Sequence, residues 1–290
     1  MDSSLWLTLW ARRLGLGAVV RRLTPSAPIL CYHNVVPAAL GQHGEPSLHV
    51  TQEELDEQCR WVKKRYTVVG LDELVTVILQ GKSVRGLAAY TFDDGYVGVL
   101  RHGLPVLAAH AFPCTLFVVA SAAAEGATFW WDRSPEAAAN EKERCLQDLQ
   151  GDGVRIMAGR EGRPPPDDYR AARFDALRAV TSPSVLVGAH SATHRNLATL
   201  NAASVTQELG EPRATISRAL GRAPEFFAYP YGRWNPLVRD AIAGAGYRAA
   251  FGAGSGLAGP GADRWAIPRI AIPRGLPPSQ FADLVTGFDG

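Results

Sequence analysis

The sequence predicts an α/β fold built on a parallel sheet or barrel, and three observations carry that reading. Short apolar runs of strand length recur along the chain, among them LAAYTF at 87–92, CTLFVVA at 114–120 and VLVGA at 185–189. The runs are continuous instead of alternating with polar residues, which suits strands covered on both faces. Segments of helical period lie between them, and strand–helix alternation of this kind produces a parallel sheet with its helices outside.

Taken in order, the segment ILCYHNVV at 29–36, after Pro25 and Pro28, reads as one short buried strand. Thr51-Gln52-Glu53-Glu54 is a capping box and opens a helix with Leu55, Cys59 and Val62 on its apolar face. Tyr66 to Val69 reads as a strand, and LDELVTVILQGK at 71–82 as a helix closed by Gly81. The strands LAAYTF and CTLFVVA, with the helix VGVLRHGLPVLAAH at 97–110 between them, form a βαβ unit. Residues from about 132 to 183 break the rhythm: they are rich in charge, proline and glycine (GREGRPPPDDYR) and hold two weakly amphipathic helical stretches. This is expected to be an insertion on the main fold and not a second domain. Alternation resumes with the strand VLVGA, a helix over 202–220 ending at Gly221, and the strand FFAY at 226–229. A helix follows from Asn235-Pro236, a cap with proline in the first helical position, and then strands in YRAAFG and AIPRIAIP. The chain has no internal repeat and no low-complexity tract.

Bulk properties narrow the function classes. The chain has 290 residues, 47% of them hydrophobic, enough for one sizeable core. Thirty basic against 28 acidic residues leave a net charge of +2, with none of the basic excess of a nucleic-acid binder. The four cysteines, Cys31, Cys59, Cys114 and Cys145, form no CxxC pair and none has zinc-finger spacing to a histidine. They are expected to be free thiols in a reducing compartment. No apolar run reaches the roughly 18 residues of a membrane span. In residues 1–27, Leu5, Leu9, Leu16, Val20 and Leu23 fall on one side of a helix, with Arg12, Arg13, Arg21 and Arg22 on another. That segment is expected to be an amphipathic helix packed on its own domain; a helix lying on a membrane surface is the alternative. No A-x-A-like cleavage site follows, so a secretory signal is disfavoured and a cytoplasmic location, with peripheral membrane contact as the alternative, is expected. Residues 28–290 are read as one domain. Oligomeric state leaves no sequence signal.

In a parallel α/β fold, reactive groups gather past the carboxyl ends of the strands, and three clusters stand there. Thr91-Phe92-Asp93-Asp94-Gly95-Tyr96 follows a buried strand; two adjacent carboxylates there are costly unless a cation or proton compensates them, although Asp-Asp-Gly is equally at home in a solvated turn. His190 ends the next strand and His194 lies four residues on, so one helical turn would put both imidazoles on one face, as metal ligands or as two unrelated histidines. Phe227-Ala228-Tyr229-Pro230-Tyr231-Gly232 could present a backbone N–H and ring faces to a sugar, or be an ordinary turn. One aspartate with two histidines makes a three-ligand site with positions open for water and substrate, and the neighbouring carboxylate could act as base. The combination is far more specific than its parts.

Together these residues resemble the polysaccharide deacetylase family, also called the NodB-homology domain or carbohydrate esterase family 4. TFDDG stands at Thr91–Gly95, H-[ST]-x-x-H at His190, Ser191 and His194, and FAYPYG at Phe227–Gly232 is similar to the third motif of one branch. YHNV at Tyr32–Val35 and FWWD at Phe129–Asp132 also recur in that branch, so the resemblance spans residues 28 to 275. It implies a distorted (β/α) barrel of about seven parallel strands and hydrolysis of an acetyl group, N-acetyl more often than O-acetyl, on a carbohydrate. It implies Asp93 as general base and Asp94, His190 and His194 as ligands of a divalent ion, zinc first, with cobalt, nickel or iron as alternatives. Tyr231 would offer its N–H to the oxyanion, with Pro230 and Tyr229 beside it at the substrate; Trp131 is a candidate to stack on a sugar ring. This chain departs from the pattern twice. Ala228 replaces the arginine that orients the base, and Arg269, or less well Arg274, is the candidate to act instead. No histidine follows His194, so the late acid histidine is missing, and His33 is the replacement candidate. The rival from another class is a catalytically silent carbohydrate-binding module on the same fold; a different barrel hydrolase or isomerase with one His2Asp site is the third reading.

Overall fold

A computed structural model describes residues 25–40, 43–162, 164–254 and 256–287. Its strands are β1 (Ile29–Tyr32), β2 (Asn34–Val36), β3 (His49–Thr51), β4 (Thr67–Val68), β5 (Leu87–Phe92), β6 (Cys114–Val118), β7 (Val185–Ala189), β8 (Phe226–Ala228), β9 (Ala249–Phe251) and β10 (Ile270–Ala271). Seven of them form one curled sheet in the order β10-β1-β5-β6-β7-β8-β9, with β4 added beside β5. All pairings between these strands are parallel. Parallel bridges Phe251–Ile267 and Gly254–Ile270 link β9 to the chain entering β10, so the two edges of the sheet meet. The expected distorted (β/α) barrel is the architecture observed, and its parallel strands place all their carboxyl ends on one rim.

Side chains along the strands divide between two apolar clusters, as the period of two requires. Leu30, Tyr32, Tyr90, Phe92, Leu116, Val118, Phe227 and Ala250 belong to one, together with Leu55, Cys59 and Val62 of the helix Gln52–Lys63 and Val205, Leu209 and Ile216 of the helix Ala202–Leu220. Ile29, Ala89, Phe117, Phe226, Ala228, Ala249 and Phe251 belong to the other, joined by Leu71, Leu74, Val75 and Ile78 of the helix Leu71–Leu79. Burial on both faces explains why the strands read as unbroken apolar runs. All four cysteines are buried and free.

Local signals place the helices well. Thr51 accepts from the Glu54 N–H at 3.1 Å while Glu54 accepts from the Thr51 N–H at 2.6 Å, a complete capping box. The helix Ala202–Leu220 ends at Gly221 in the left-handed conformation. Asn235 caps the helix Pro236–Gly244 by accepting from the Val238 N–H.

Three expectations change. ILCYHNVV is two strands: β1 stays with β5 as far as Tyr32, and β2 pairs with β3 in a separate parallel ribbon. An unbroken apolar run carries no mark of that break, which falls at His33 because β5 ends opposite Tyr32. The helix expected over 97–110 contains a π-helical turn at Val99–Gly103 before the α-helix Leu104–His110. Pro105 cannot donate to residue 101, so the regular ladder is interrupted there. Where two helical stretches were expected over about 132–183, the described residues from 130 to 180 fold as five short α-helices, Trp130–Arg133, Pro135–Asn140, Lys142–Gln147, Gly153–Met157 and Phe174–Val180. The expected N-terminal helix over 1–27 lies almost wholly outside the described residues. Among those described, no helix is long and apolar enough to cross a membrane.

Gly95 turns the chain directly behind the paired aspartates. It has φ +72°, and a Cβ there would come within 2.8 Å of Val118 Cγ1. Gly95→Ala is therefore expected to lower the unfolding free energy by about 1–3 kcal/mol, measured by chemical denaturation against the parent chain.

Candidate active site

The strand ends deliver their side chains to one cleft of about 330 Å³, whose lining includes His33 after β1, Asp93 and Asp94 after β5, His190 after β7, and Tyr231 after β8. Trp130 and Trp131, from the segment after β6, form another wall.

Asp93 is held by a fork. Arg269 Nη1 donates to Oδ1 and Nη2 to Oδ2, both at 2.7 Å. Arg269 is itself fully buried; its Nε donates to the Gly252 carbonyl at 2.9 Å, its Nη1 also donates to Thr91 Oγ1 at 3.1 Å, and the guanidinium lies over the Phe117 ring. Bidentate pairing of this kind fixes both the plane and the position of a carboxylate. Burial pushes the Asp93 carboxyl upward, but the charge and hydrogen bonds of Arg269, together with the nearby His190 and His33, outweigh it, and the group is held below the ordinary carboxylate range. Of the two late arginines considered, Arg269 makes this pair, from the seam where β9 meets the entry to β10. The Arg274 backbone N–H instead donates to the Ser47 carbonyl at 3.0 Å. The Cys31 thiol donates to Asp93 Oδ2 at 3.4 Å. Nothing in the sequence pattern singles Cys31 out, since its side chain reaches Asp93 only through the β1–β5 pairing.

Asp94 has no such partner. Its carboxylate is 1% exposed, and neither oxygen accepts a hydrogen bond among the described residues. Its Oδ1 lies 3.2 Å from His194 Nε2 and 3.5 Å from His190 Nε2. Ligands bound tetrahedrally at about 2.0–2.1 Å stand roughly 3.3–3.4 Å apart, so these separations fit one small divalent cation. Asp94, His190 and His194 offer ligand atoms that all lie within 4.8 Å of one another. His190 Nδ1–H donates to the Ala228 carbonyl at 2.8 Å, which leaves the Nε2 lone pair facing Asp94, the arrangement in which histidine binds a metal. Burial lowers the His190 pKa to about 4, so its ring is neutral near pH 7. Ala228, at the position where the family pattern has arginine, thus contributes its backbone instead. Rings enclose His194: Trp131 lies 4.7 Å and Tyr231 4.6 Å from it, centroid to centroid.

Backbone strain concentrates in the same place. Six described non-glycine residues have φ in the left-handed region, and four of them are Asp94, Ser191, His194 and Tyr231. Such conformations cost about 1–3 kcal/mol each and persist only where their surroundings over-determine them.

His33 reaches the cleft, and burial lowers its pKa. Tyr231 is the second residue of the 3-10 turn Pro230–Gly232, where the N–H has no partner within the turn. Two other residues expected at the substrate do not line the cleft. Pro230 is buried within the turn itself, and Tyr229 is fully buried with its hydroxyl donating to the Trp265 carbonyl at 2.7 Å. Alternation along β8 explains this, because Tyr229 continues on the face of Phe227 and not that of Ala228. Trp131 does line the cleft, but Phe129 stacks on its ring at 4.7 Å, so that face is closed to a sugar. Its Nε1–H donates to the Tyr96 hydroxyl, which donates to Asp132, which accepts from His49 Nε2 at 2.9 Å. This buried chain fixes the tryptophan wall; the sequence motifs contained Tyr96 and Asp132 without showing that they meet. Glu208, on the helix Ala202–Leu220, was also missed. Its signal was a carboxylate on the buried stripe of Val205, Leu209 and Ile216.

Comparison with known proteins bears on the family and the fold. Residues 80–250 match the sequence profile of the polysaccharide deacetylase family. Among curated proteins, a chitin deacetylase from Pestalotiopsis is 33% identical over 61 residues; the match spans 21% of this chain and 20% of that protein. Solved structures that share the fold include three deacetylases. A deacetylase from Streptococcus pyogenes, in complex with acetate, is 16% identical with a TM-score of 0.64, over 90% of this chain and 98% of that one. A de-N-acetylase from Aggregatibacter actinomycetemcomitans is 20% identical with a TM-score of 0.64, over 89% and 99%. A polysaccharide deacetylase from Bacillus cereus is 18% identical with a TM-score of 0.63, over 90% and 69%.

Removing Arg269 would strand a buried carboxylate. Arg269→Met is expected to cost about 3–5 kcal/mol of stability, and Asp93→Asn in the same chain to recover much of that loss. Urea unfolding of the two single variants and the double variant measures the coupling.

Proposed function

The chain belongs to the polysaccharide deacetylase family, and from that premise we propose that it is a metal-dependent hydrolase that releases the acetyl group of an N-acetylated amino sugar in a polysaccharide or glycolipid. The observation that carries the proposal is the Asp94 carboxylate, buried without a hydrogen-bond donor among the described residues and facing two imidazoles, beside a second carboxylate held ionised by Arg269. Asp94, His190 and His194 would hold the ion, with zinc the first choice for this donor set. When bound, a divalent ion lowers the pKa of water towards neutrality and polarises the acyl carbonyl.

The protein groups supply the rest. Asp93, fixed by Arg269, takes a proton from the attacking water at its carboxylate. The Tyr231 N–H, free within its turn, donates to the oxygen of the tetrahedral species; a donor of this kind is worth roughly 2.7–4 kcal/mol. The nitrogen must be protonated before it leaves, since otherwise the tetrahedral species reverts to the amide. His33 is the cleft imidazole not used as a ligand. Burial leaves it neutral at the outset, so the proton accepted by Asp93 is passed through His33 to the amine. The cleft walls are largely apolar, with Leu48, Trp130, Ala138 and Leu146 among them, and suit an acetyl methyl and the apolar face of a sugar.

The silent-module reading drew its support from the two missing motif residues. Arg269 on Asp93 supplies the orienting charge that Ala228 lacks, which favours the enzyme over the module.

Two outcomes are expected. Chelator treatment should abolish acetate release from N-acetylated glycans, and stoichiometric zinc should restore it. Asp93→Asn should retain metal and lose about 10²–10⁴-fold in kcat, while His33→Ala lowers kcat far more than it raises KM. Steady-state acetate assays beside metal analysis of each variant check both.

A further inference from the structure

Ser191 and His194 both sit in the left-handed region, so the five-residue loop His190–His194 needs external bracing to keep its two imidazoles on Asp94. One brace is local: the His194 N–H donates to Ser191 Oγ at 2.8 Å. On one side, the carbonyls of Ser191 and Ala192 accept from the N–H groups of Ala120 and Ser121 at 3.2 and 2.9 Å. The N–H groups of Ala192 and Thr193 turn the other way, towards the helix Ala202–Leu220, and a single residue there takes them both.

That residue is Glu208, 5% exposed. Its Oε2 accepts from the Ala192 N–H at 3.0 Å and from the Thr193 N–H at 2.9 Å, and its Oε1 accepts from the Thr193 hydroxyl. Its backbone carbonyl also accepts from the Ala192 N–H at 3.2 Å. A carbonyl inside a helix is normally occupied by the N–H four residues on. Here that residue is Pro212, inside the helix and without an N–H. The proline removes the competitor and opens the Glu208 carbonyl to the loop. Side chain and backbone of one residue therefore grip the loop together, and the carboxylate acceptor makes those bonds charge-assisted.

We propose that Glu208, with its carbonyl freed by Pro212, is a positioning residue that holds His190 and His194 in ligating geometry and so sets the affinity of the metal site. The inference rests on the metal-site reading above. Outer-shell partners of metal ligands are typically worth 10–100-fold in affinity. Glu208→Gln removes the charge from the acceptor of the two N–H groups and puts an amide donor where the Thr193 hydroxyl now donates. Pro212→Ala leaves the carboxylate in place but supplies an N–H that competes for the Glu208 carbonyl.

The test is the zinc dissociation constant, by chelator competition, of the parent chain, Glu208→Gln and Pro212→Ala, with the melting temperature of each metal-free protein and the visible spectrum of its cobalt form. The proposal expects Glu208→Gln to weaken zinc binding about 10–100-fold with an altered cobalt spectrum. It expects Pro212→Ala to weaken binding by a smaller factor while the metal-free chain melts no lower than the parent, a divergence that a purely structural role for the helix does not produce. Zinc affinities within twofold of the parent in both variants would overturn it; should Glu208→Gln not fold, unchanged affinity in Pro212→Ala alone does so. A parent chain that binds no zinc instead removes the metal-site reading, a separate result.

Discussion

Two adjacent carboxylates, Asp93 and Asp94, are buried at the end of β5, and the protein supplies a permanent cation to only one of them. Burying an ionised carboxylate without compensation is prohibitive. Arg269 meets the charge of Asp93 with two hydrogen bonds. Among the described residues Asp94 faces imidazoles, one of them held neutral by burial, and no hydrogen-bond donor is placed on its oxygens. On the function proposed above, an ion completes this arrangement. On that proposal the same asymmetry divides the labour: the carboxylate tied to arginine takes the proton, and the untied one holds the ion.

The barrel makes that division possible. Parallel pairing places the ends of β1, β5, β7 and β8 on one rim, and the meeting of β9 with the entry to β10 brings Arg269 through the interior to Asp93. Four residues in the left-handed region, Asp94, Ser191, His194 and Tyr231, stand past the strand ends, where the chain turns its side chains into the cleft. The strain is held by groups well removed in sequence, among them the Ala228 carbonyl on His190, Glu208 on the loop and the Tyr96–Asp132–His49 chain behind Trp131.

Much of this was legible in the residues themselves, and the pattern of what was not is physical. Thr51 with Glu54, Gly221 and Asn235 announce helix ends because capping is a contact between near neighbours in the chain. Asp93, Asp94, His190 and His194 were legible as a site because their types are costly after buried strands unless they share a purpose. Arg269 was legible only as a candidate, since the sequence shows a late strand but not that its entry closes the barrel. The break at His33 was hidden in a continuous apolar run. Tyr229 was misplaced because a motif read as a unit ignores that alternate residues face opposite ways. Cys31 and the tie between Tyr96 and Asp132 depend on register and tertiary contact. Glu208 did leave a trace, a charge on an apolar helical stripe four residues before a proline.

The most direct examination of this account is anomalous diffraction at the zinc edge from crystals of the chain grown with one equivalent of zinc. The account predicts one strong peak about 2.0–2.2 Å from an Asp94 carboxylate oxygen, His190 Nε2 and His194 Nε2, with Asp93 still on Arg269. A map without a peak between those three side chains, or with zinc drawn instead to Asp93, would contradict it.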